Sequence, residues 1–339
     1  MGDEMHFAIA LAVGVPVIWL FGIAGRRLKL VDRPGDLKIH GAAIAITGGL
    51  GVVAAGMTTV AVTGDLPPGA VVGAVLLALA VGLLDDIRPL GPLLRIVILG
   101  AAGALLAGAG LGLDQFGPLA AFATILLMLA CTNAVNLIDG QDGLAGGLTA
   151  IAALGLAGLA GDNSAWVGPL SLATAGALTG FLVWNRSPAR IFLGNNGAYA
   201  VGALLAALIA GGASDGRWKS LLSVFLVVGV FAFEFIATVL RRLVNGGSLT
   251  GGDRDHSYDL LSERMGSRGR VTLLYLAAGV LLAVLGVFAS KASLVVLMGI
   301  SLGSACLAAA LGINLWRGRP KKIPAVRNAN EVIPSRSAH

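Results

Sequence analysis

The sequence predicts an all-α integral membrane protein of about eleven transmembrane helices, with the N-terminus outside and the C-terminus in the cytoplasm. Three observations carry this. The 339 residues are 56% hydrophobic and only 12% charged, with a mean hydropathy of +0.86, a balance that excludes a soluble globular chain of this length. The apolar runs are long and lack period-two alternation, which excludes a membrane β-barrel. The 50 glycines, with abundant alanine, suit helices that pack closely in lipid.

A crossing takes about 20 apolar residues, and such runs occupy roughly 5–24, 45–64, 69–84, 94–113, 117–135, 146–161, 166–184, 197–213, 220–240, 272–290 and 292–316. The first follows Asp3 and Glu4 and lacks a small-residue cleavage site, so it reads as a retained helix rather than a signal peptide. The runs 69–84 and 146–161 are short for a crossing. Cys131 and Cys306 fall inside apolar runs and read as free packing thiols. Orientation follows from the cations. With the N-terminus outside, the inner loops 25–44, 85–93, 136–145, 185–196 and 241–271, the tail after 316 and Arg95 hold 21 of the 24 Lys and Arg. Only Arg217, Lys219 and Lys291 lie outside. Residues 1–316 read as one polytopic domain, and 317–339 as a basic, disordered cytoplasmic tail. The net charge of +6 fits anionic lipid headgroups or a phosphate-bearing ligand, and nothing in the chain asks for nucleic acid.

Polar residues in this apolar background cluster at the inner helix ends. The segment CTNAVNLIDGQDGLAGGL sets Asn133, Asn136, Asp139 and Asp142 at three-residue intervals, with Gly140 and Gly143 each following an aspartate. Amides and carboxylates at such depth are costly unless paired, hydrated or used, and glycines let a backbone approach a ligand. Asp85 and Asp86 stand where the third run ends; carboxylates are unfavourable at a helix C-terminus, and neighbours on a helix point about 100° apart. The first inner loop offers Asp32, Lys38 and His40 ahead of Gly48 and Gly49, a set suited to phosphate oxygens or simply to anchoring at the inner face. The loop with Asn185, Arg190, Asn195 and Asn196 leads into a helix whose first N–H groups would attract an anion such as a diphosphate. Asp253, Arg254, Asp255, His256 and Asp259 crowd the longest inner loop, where the imidazole could bind phosphate, move a proton or ligate metal. Glu234 lies at membrane depth and needs a partner, for which Arg241 is two turns away.

Taken in order, these motifs resemble the polyprenyl-phosphate N-acetylhexosamine-1-phosphate transferases, the glycosyltransferase family 4 type superfamily that includes the phospho-N-acetylmuramoyl-pentapeptide translocase. The likeness runs from about 5 to 316. Its most specific element is N-x-x-N-x-x-D-G-x-D-G-L-A at Asn133, Asn136, Asp139, Gly140, Asp142, Gly143, Leu144 and Ala145. Further matches are the pair Asp85 and Asp86; Asp32, Pro34, Lys38, His40, Gly48 and Gly49; Pro188, Ala189, Phe192 and Gly194; and Arg241, Arg242, Asp253, Arg254 and His256.

The resemblance implies transfer of a sugar 1-phosphate from a UDP-sugar to a polyprenyl phosphate at the cytoplasmic face of the cell membrane. It implies catalytic Asp85 and Asp86, and substrate binding by Lys38, His40, Asn133, Asn136, Asp139, Asp142, Arg190, Arg254 and His256. It implies Mg²⁺, or Mn²⁺ in its place, on Asn195, Asp86 and Asp142. Membrane lipids are further partners, and a homodimer is compatible with it. The chain departs from the family at Asn195, where an aspartate is the metal ligand, at His256, Ser257, Tyr258 and Asp259 in place of H-x-H-H, at Leu37 in place of arginine, and at Arg95 in place of lysine. Two alternatives are a degenerate homologue that binds lipid or sugar nucleotide without turnover, and a transporter or flippase. The latter would place polar residues at the midplane of paired, broken halves, whereas these sit at one face and no internal repeat is visible.

Overall fold

The computed structural model describes residues 4–33, 42–160, 165–213, 215–245 and 255–317. Lys38, His40, Arg254 and the tail after Arg317 lie outside the described residues. The described residues are all-α apart from a ribbon of two two-residue strands. Its elements are α1 (Glu4–Arg27), β1 (Val31–Asp32), β2 (Ile44–Ala45), α2 (Gly48–Thr63), α3 (Gly69–Ile87), α4 (Pro92–Gly108), a 3₁₀ turn (Asp114–Leu119), α5 (Ala120–Ile138), α6 (Leu144–Leu159), α7 (Val167–Asn185), α8 (Gly194–Gly212), α9 (Trp218–Val227), α10 (Gly229–Val244), α11 (Ser257–Met265), α12 (Arg268–Ala289) and α13 (Leu294–Arg317).

Among the described residues six helices are long and apolar enough to cross a membrane, or seven if the bent pair α9 and α10 is one span. Three shorter apolar helices, α2, α4 and α6, accompany them. The run read as a single helix over 220–240 is broken at Val228, where α9 and α10 meet at 79°. The loop 241–271 contains α11, which its polar composition had concealed. The run read as 69–84 continues to Ile87, so Asp85 and Asp86 occupy the last turn of α3, at the helix end where the sequence puts them.

Helix α8 is the axis of the fold. From Asn196 to Gly211 it is buried throughout, packed by α3, α5 and α2. Such burial requires close backbone approach, which glycine supplies. A Cβ on Gly49 would lie 2.0 Å from Gly197 Cα, one on Gly82 2.4 Å from the Asn195 carbonyl oxygen, and one on Gly202 2.5 Å from Thr132 Cα. Several buried or half-buried threonine hydroxyls are satisfied locally, whereas the buried hydroxyls of Ser171 and Thr174 have no partner among the described residues. Thr59, Thr132, Thr149 and Thr179 each donate to the carbonyl four residues earlier, the economical solution where no water is at hand.

The antiparallel ribbon β1–β2 pairs Val31 with Ala45 and Asp32 with Ile44. Gly48 and Gly49 then donate to the carbonyls of Phe192 and Leu193 at 3.0 Å each. These bonds fasten the loop after α1 to the loop before α8 and gather the polar ends of α3, α5 and α7 at one end of the bundle.

Candidate active-site cleft

A cleft of about 1650 Å³ opens among those ends. Asp85, Asp86, Asn136, Asp139, Asp142, Arg190 and Asn195 all line it. Exposed Arg26, Arg186 and Arg268 add positive charge, and Leu182, Val183, Leu273 and Leu276 of α7 and α12 give it an apolar side. Trp19 stacks on Trp184 with ring centroids 4.4 Å apart, and Arg26 lies over Trp19 at 5.3 Å. Polar and apolar walls thus meet in one cavity.

Asp85 is the hub at the α3 end. Its Oδ1 accepts from the Leu90 amide at 2.7 Å. Its Oδ2 accepts from Arg95 Nη1 at 3.3 Å, Asn195 Nδ2 at 3.2 Å and the Tyr199 hydroxyl at 3.2 Å. Four donors around one carboxylate, one of them a guanidinium, fix its position.

Asp86 faces the start of α8. It accepts the Asn195 and Asn196 amides at 3.0 Å each and Asn196 Nδ2 at 2.7 Å. Those N–H groups are the orphan donors of a helix N-terminus, where a carboxylate is favourable. The anion expected at this helix start is therefore a side chain of the protein. Gly194, at φ 77°, makes the approach possible: a Cβ there would sit 3.0 Å from Asp86 Oδ2 and 2.4 Å from the Ile46 carbonyl oxygen.

The loop from Asp139 to Gly143 is held from four sides. Asn185 Oδ1 accepts the Gly143 amide at 2.9 Å, and Asn185 Nδ2 donates to the Ile191 carbonyl at 2.9 Å. Asp142 Oδ2 accepts the Ala189 amide at 3.0 Å. Gln141 donates to Ser262 at 2.7 Å and accepts from Thr272 at 3.3 Å. Tyr258 donates to the Leu137 carbonyl at 2.8 Å, and its hydroxyl lies so near Gly140 that a Cβ there would be 2.2 Å away. Within this frame Asp139 accepts no hydrogen bond among the described residues. Desolvation, then the charges of Asp86 and Asp142, push its carboxyl well above the usual carboxylate range.

Two expected residues stand apart from the cleft. Asn133 is exposed on α5 and donates to the Leu129 carbonyl of its own helix at 2.7 Å. His256 is buried against Thr238 at 3.3 Å and stacks on Tyr258 with centroids 5.3 Å apart. Tyr258, on which it stacks, in turn donates to the Leu137 carbonyl. Glu234 accepts from the Tyr275 hydroxyl and from the Ser257 amide at 3.4 Å, while Arg241 lies 4.0 Å from Asp255. Asn185, which the sequence places in the anion-binding loop, instead clamps Gly143 to Ile191, and Tyr199, Gln141 and Tyr258 carry no site role in the sequence reading. Each is a lone polar group whose partner is distant along the chain, and the only available signal was a hydrogen-bonding side chain inside an apolar run or beside a motif residue.

The donor set can be weighed against a hard divalent cation, which takes oxygen ligands. Asn195 Oδ1 already accepts from Asn136 at 3.0 Å, and both Asp86 oxygens already accept N–H groups. Asp139 and one oxygen of Asp142 remain, both facing the cleft. Among the described residues no group of three His, Cys, Asp or Glu side chains closes to metal-holding distance. The oxygens fit a cation in kind, at Asp139 and Asp142.

Fold and site together define a helical membrane protein with a carboxylate-rich cleft at one end of its bundle. Residues 69–212 match the model for glycosyl transferase family 4. It is 27% identical over 267 residues to a probable undecaprenyl-phosphate N-acetylglucosaminyl 1-phosphate transferase of Bacillus subtilis, covering 74% of this chain and 75% of that one. It is 36% identical over 174 residues to the phospho-N-acetylmuramoyl-pentapeptide-transferase of Bacillus pumilus, covering 48% and 49%. The corresponding Bacillus subtilis protein is 37% identical over 178 residues, covering 49% and 51%. The chain thus spans three quarters of the first relative and about half the length of the other two.

Proposed function

We propose that the chain transfers a sugar 1-phosphate, of the N-acetylhexosamine class, from a UDP-sugar to a polyprenyl phosphate. An oxygen of the lipid phosphate attacks the β-phosphorus of the UDP-sugar, UMP leaves, and a lipid-linked sugar diphosphate remains to begin a cell-envelope glycan. The observation that carries this reading is the single cleft in which carboxylates, arginines and an apolar wall adjoin. A nucleotide sugar needs the first two and an isoprenoid chain the third. The names of the relatives support the same substrate classes.

Phosphoryl transfer asks the protein for positioning and charge stabilisation rather than covalent chemistry. Asp85, held by four donors, orients the lipid phosphate and takes up its proton where one is present. Asn136 and the clamped loop from Asp139 to Asp142 hold the nucleotide sugar. Arg190 faces the diphosphate, joined from outside the described residues by Lys38, His40 and Arg254. Asp139 and Asp142 would hold Mg²⁺ or Mn²⁺, which when bound neutralises diphosphate charge. The test is an assay of purified protein with polyprenyl phosphate, Mg²⁺ and a panel of UDP-sugars, reading UMP and lipid-linked product. Failure to release UMP from any of them would end this reading in favour of a homologue that binds without turnover.

The same proposal sets the chain in the cell membrane as one domain crossing eleven times, with α9 and α10 as one crossing and the cleft cytoplasmic. The distribution of cations supports it. Leu66 and Arg88, both exposed, lie at opposite ends of α3. In a Cys306→Ser background, since Cys306 is exposed, a cysteine at Leu66 should react with an impermeant maleimide on intact cells. One at Arg88 should react only after permeabilisation. The opposite pattern would put the cleft outside.

A further inference from the structure

We propose that Asn195 is a positioning residue whose neutral amide couples Asp85 to Asn136, and that this site is built around an uncharged side chain at 195. Asn195 stands in the first turn of α8 and touches three groups of the cleft. Its backbone N–H donates to Asp86. Its Nδ2 donates to Asp85 Oδ2 at 3.2 Å, and its Oδ1 accepts from Asn136 Nδ2 at 3.0 Å. Asp85 decides which end of the amide is which: a carboxylate only accepts, so the NH₂ must face it and the oxygen must face Asn136. One side chain therefore bridges α3 and α5 across the head of α8.

A carboxylate at this position could keep the bond from Asn136 but not the bond to Asp85. It would place a second acceptor and a second negative charge about 3.2 Å from Asp85 Oδ2, beside Asp86. The one cation on Asp85 among the described residues is Arg95, whose Nη1 already serves both Asp85 and Tyr199. The resembling family carries aspartate at 195 as a metal ligand; here the surroundings of 195 accept an amide and oppose an acid. The residue acts on the reaction through Asp85, so this step rests on the transferase reading, whereas the neutrality of the bridge does not.

The experiment compares wild type, Asn195→Asp and Asn195→Ala in lipid nanodiscs. Thermal unfolding in excess chelator tests neutrality without any turnover: Asn195→Asp should unfold several degrees below wild type. With saturating UDP-sugar, lipid phosphate and Mg²⁺, both variants should lose about tenfold or more in kcat while either KM changes by less than about threefold, the pattern of an interaction used in the transition state. Should Asn195→Asp fail to fold at all, Asn195→Ala still decides, by its kcat against KM. An Asn195→Asp protein as stable as wild type in chelator, or one that matches wild-type turnover at lower Mg²⁺, overturns the proposal, as does an Asn195→Ala protein with wild-type kcat. If wild type itself transfers from no UDP-sugar, the transferase reading fails and the unfolding comparison still stands or falls by itself.

Discussion

Replacing Asp85 by asparagine should cut transfer turnover by on the order of a hundredfold or more while leaving the chain folded. The carboxylate offers two oxygens to four donors from Leu90, Arg95, Asn195 and Tyr199. An amide offers one oxygen and turns an NH₂ toward groups that themselves donate, and Arg95 loses its counter-charge. Each lost charge-assisted bond costs about 1.5–3 kcal/mol, a local loss that leaves the burial of α3 against α8 in place, so a folded and monodisperse protein is expected. The measurements are UMP release and thermal unfolding on the same preparation. Turnover near wild type would remove Asp85 from the chemistry, and loss of folded protein would reduce it to a structural residue.

Gly49→Ala should damage the fold itself, by forcing backbone apart rather than by removing a bond. Its new methyl group would fall 2.0 Å from Gly197 Cα and 2.4 Å from Gly197 N, and backbone, unlike the tip of a long side chain, cannot swing aside. Overpacking of this kind typically costs about 1–3 kcal/mol. Relief requires α2 and α8 to separate, which would pull on the Gly49 bond to Leu193 and carry Asn195 away from Asp85. A misplacement of about 1 Å can cost on the order of a hundredfold in rate. Gly56→Ala is the control, because the nearest atom to its Cβ is the Ala173 carbonyl oxygen at 3.9 Å. Gly49→Ala should give little folded protein, or protein with a lowered unfolding temperature and almost no turnover, where Gly56→Ala resembles wild type. Equal behaviour of the two would mean that α2 and α8 do not cross as tightly as the structure has them.

Hydropathy made the helices legible because a lipid-facing surface leaves its mark residue by residue. Breaks between helices were less legible: both sides of Val228 are apolar, so the 79° turn between α9 and α10 left no trace in composition. The spacing of Asn133, Asn136 and Asp139 was visible, but its geometry misleads. Three residues advance an ideal helix by about 300°, so each member of the series falls back about 60°. One step takes the series from Asn133 on the exposed side of α5 to Asn136 in the cleft, and Asp139 follows as the cap of the helix. The family resemblance was legible through the same motif, and the family match over 69–212 agrees with it. What stayed hidden was long-range pairing. Tyr199 meets Asp85 across 114 residues and Gln141 meets Ser262 across 121, and no local pattern encodes such meetings.

Asp86 gives the cleft a peculiar evolutionary position. Because it anchors three N–H groups at the head of the most buried helix, a lineage that altered it would lose the seat of α8 together with whatever the carboxylate does for a substrate. Saturation mutagenesis will score the site as intolerant whichever of the two is lost, so intolerance there cannot be credited to chemistry. Selection has welded a foundation stone and a tool into one side chain, and only a variant that reseats α8 by other means could prise them apart.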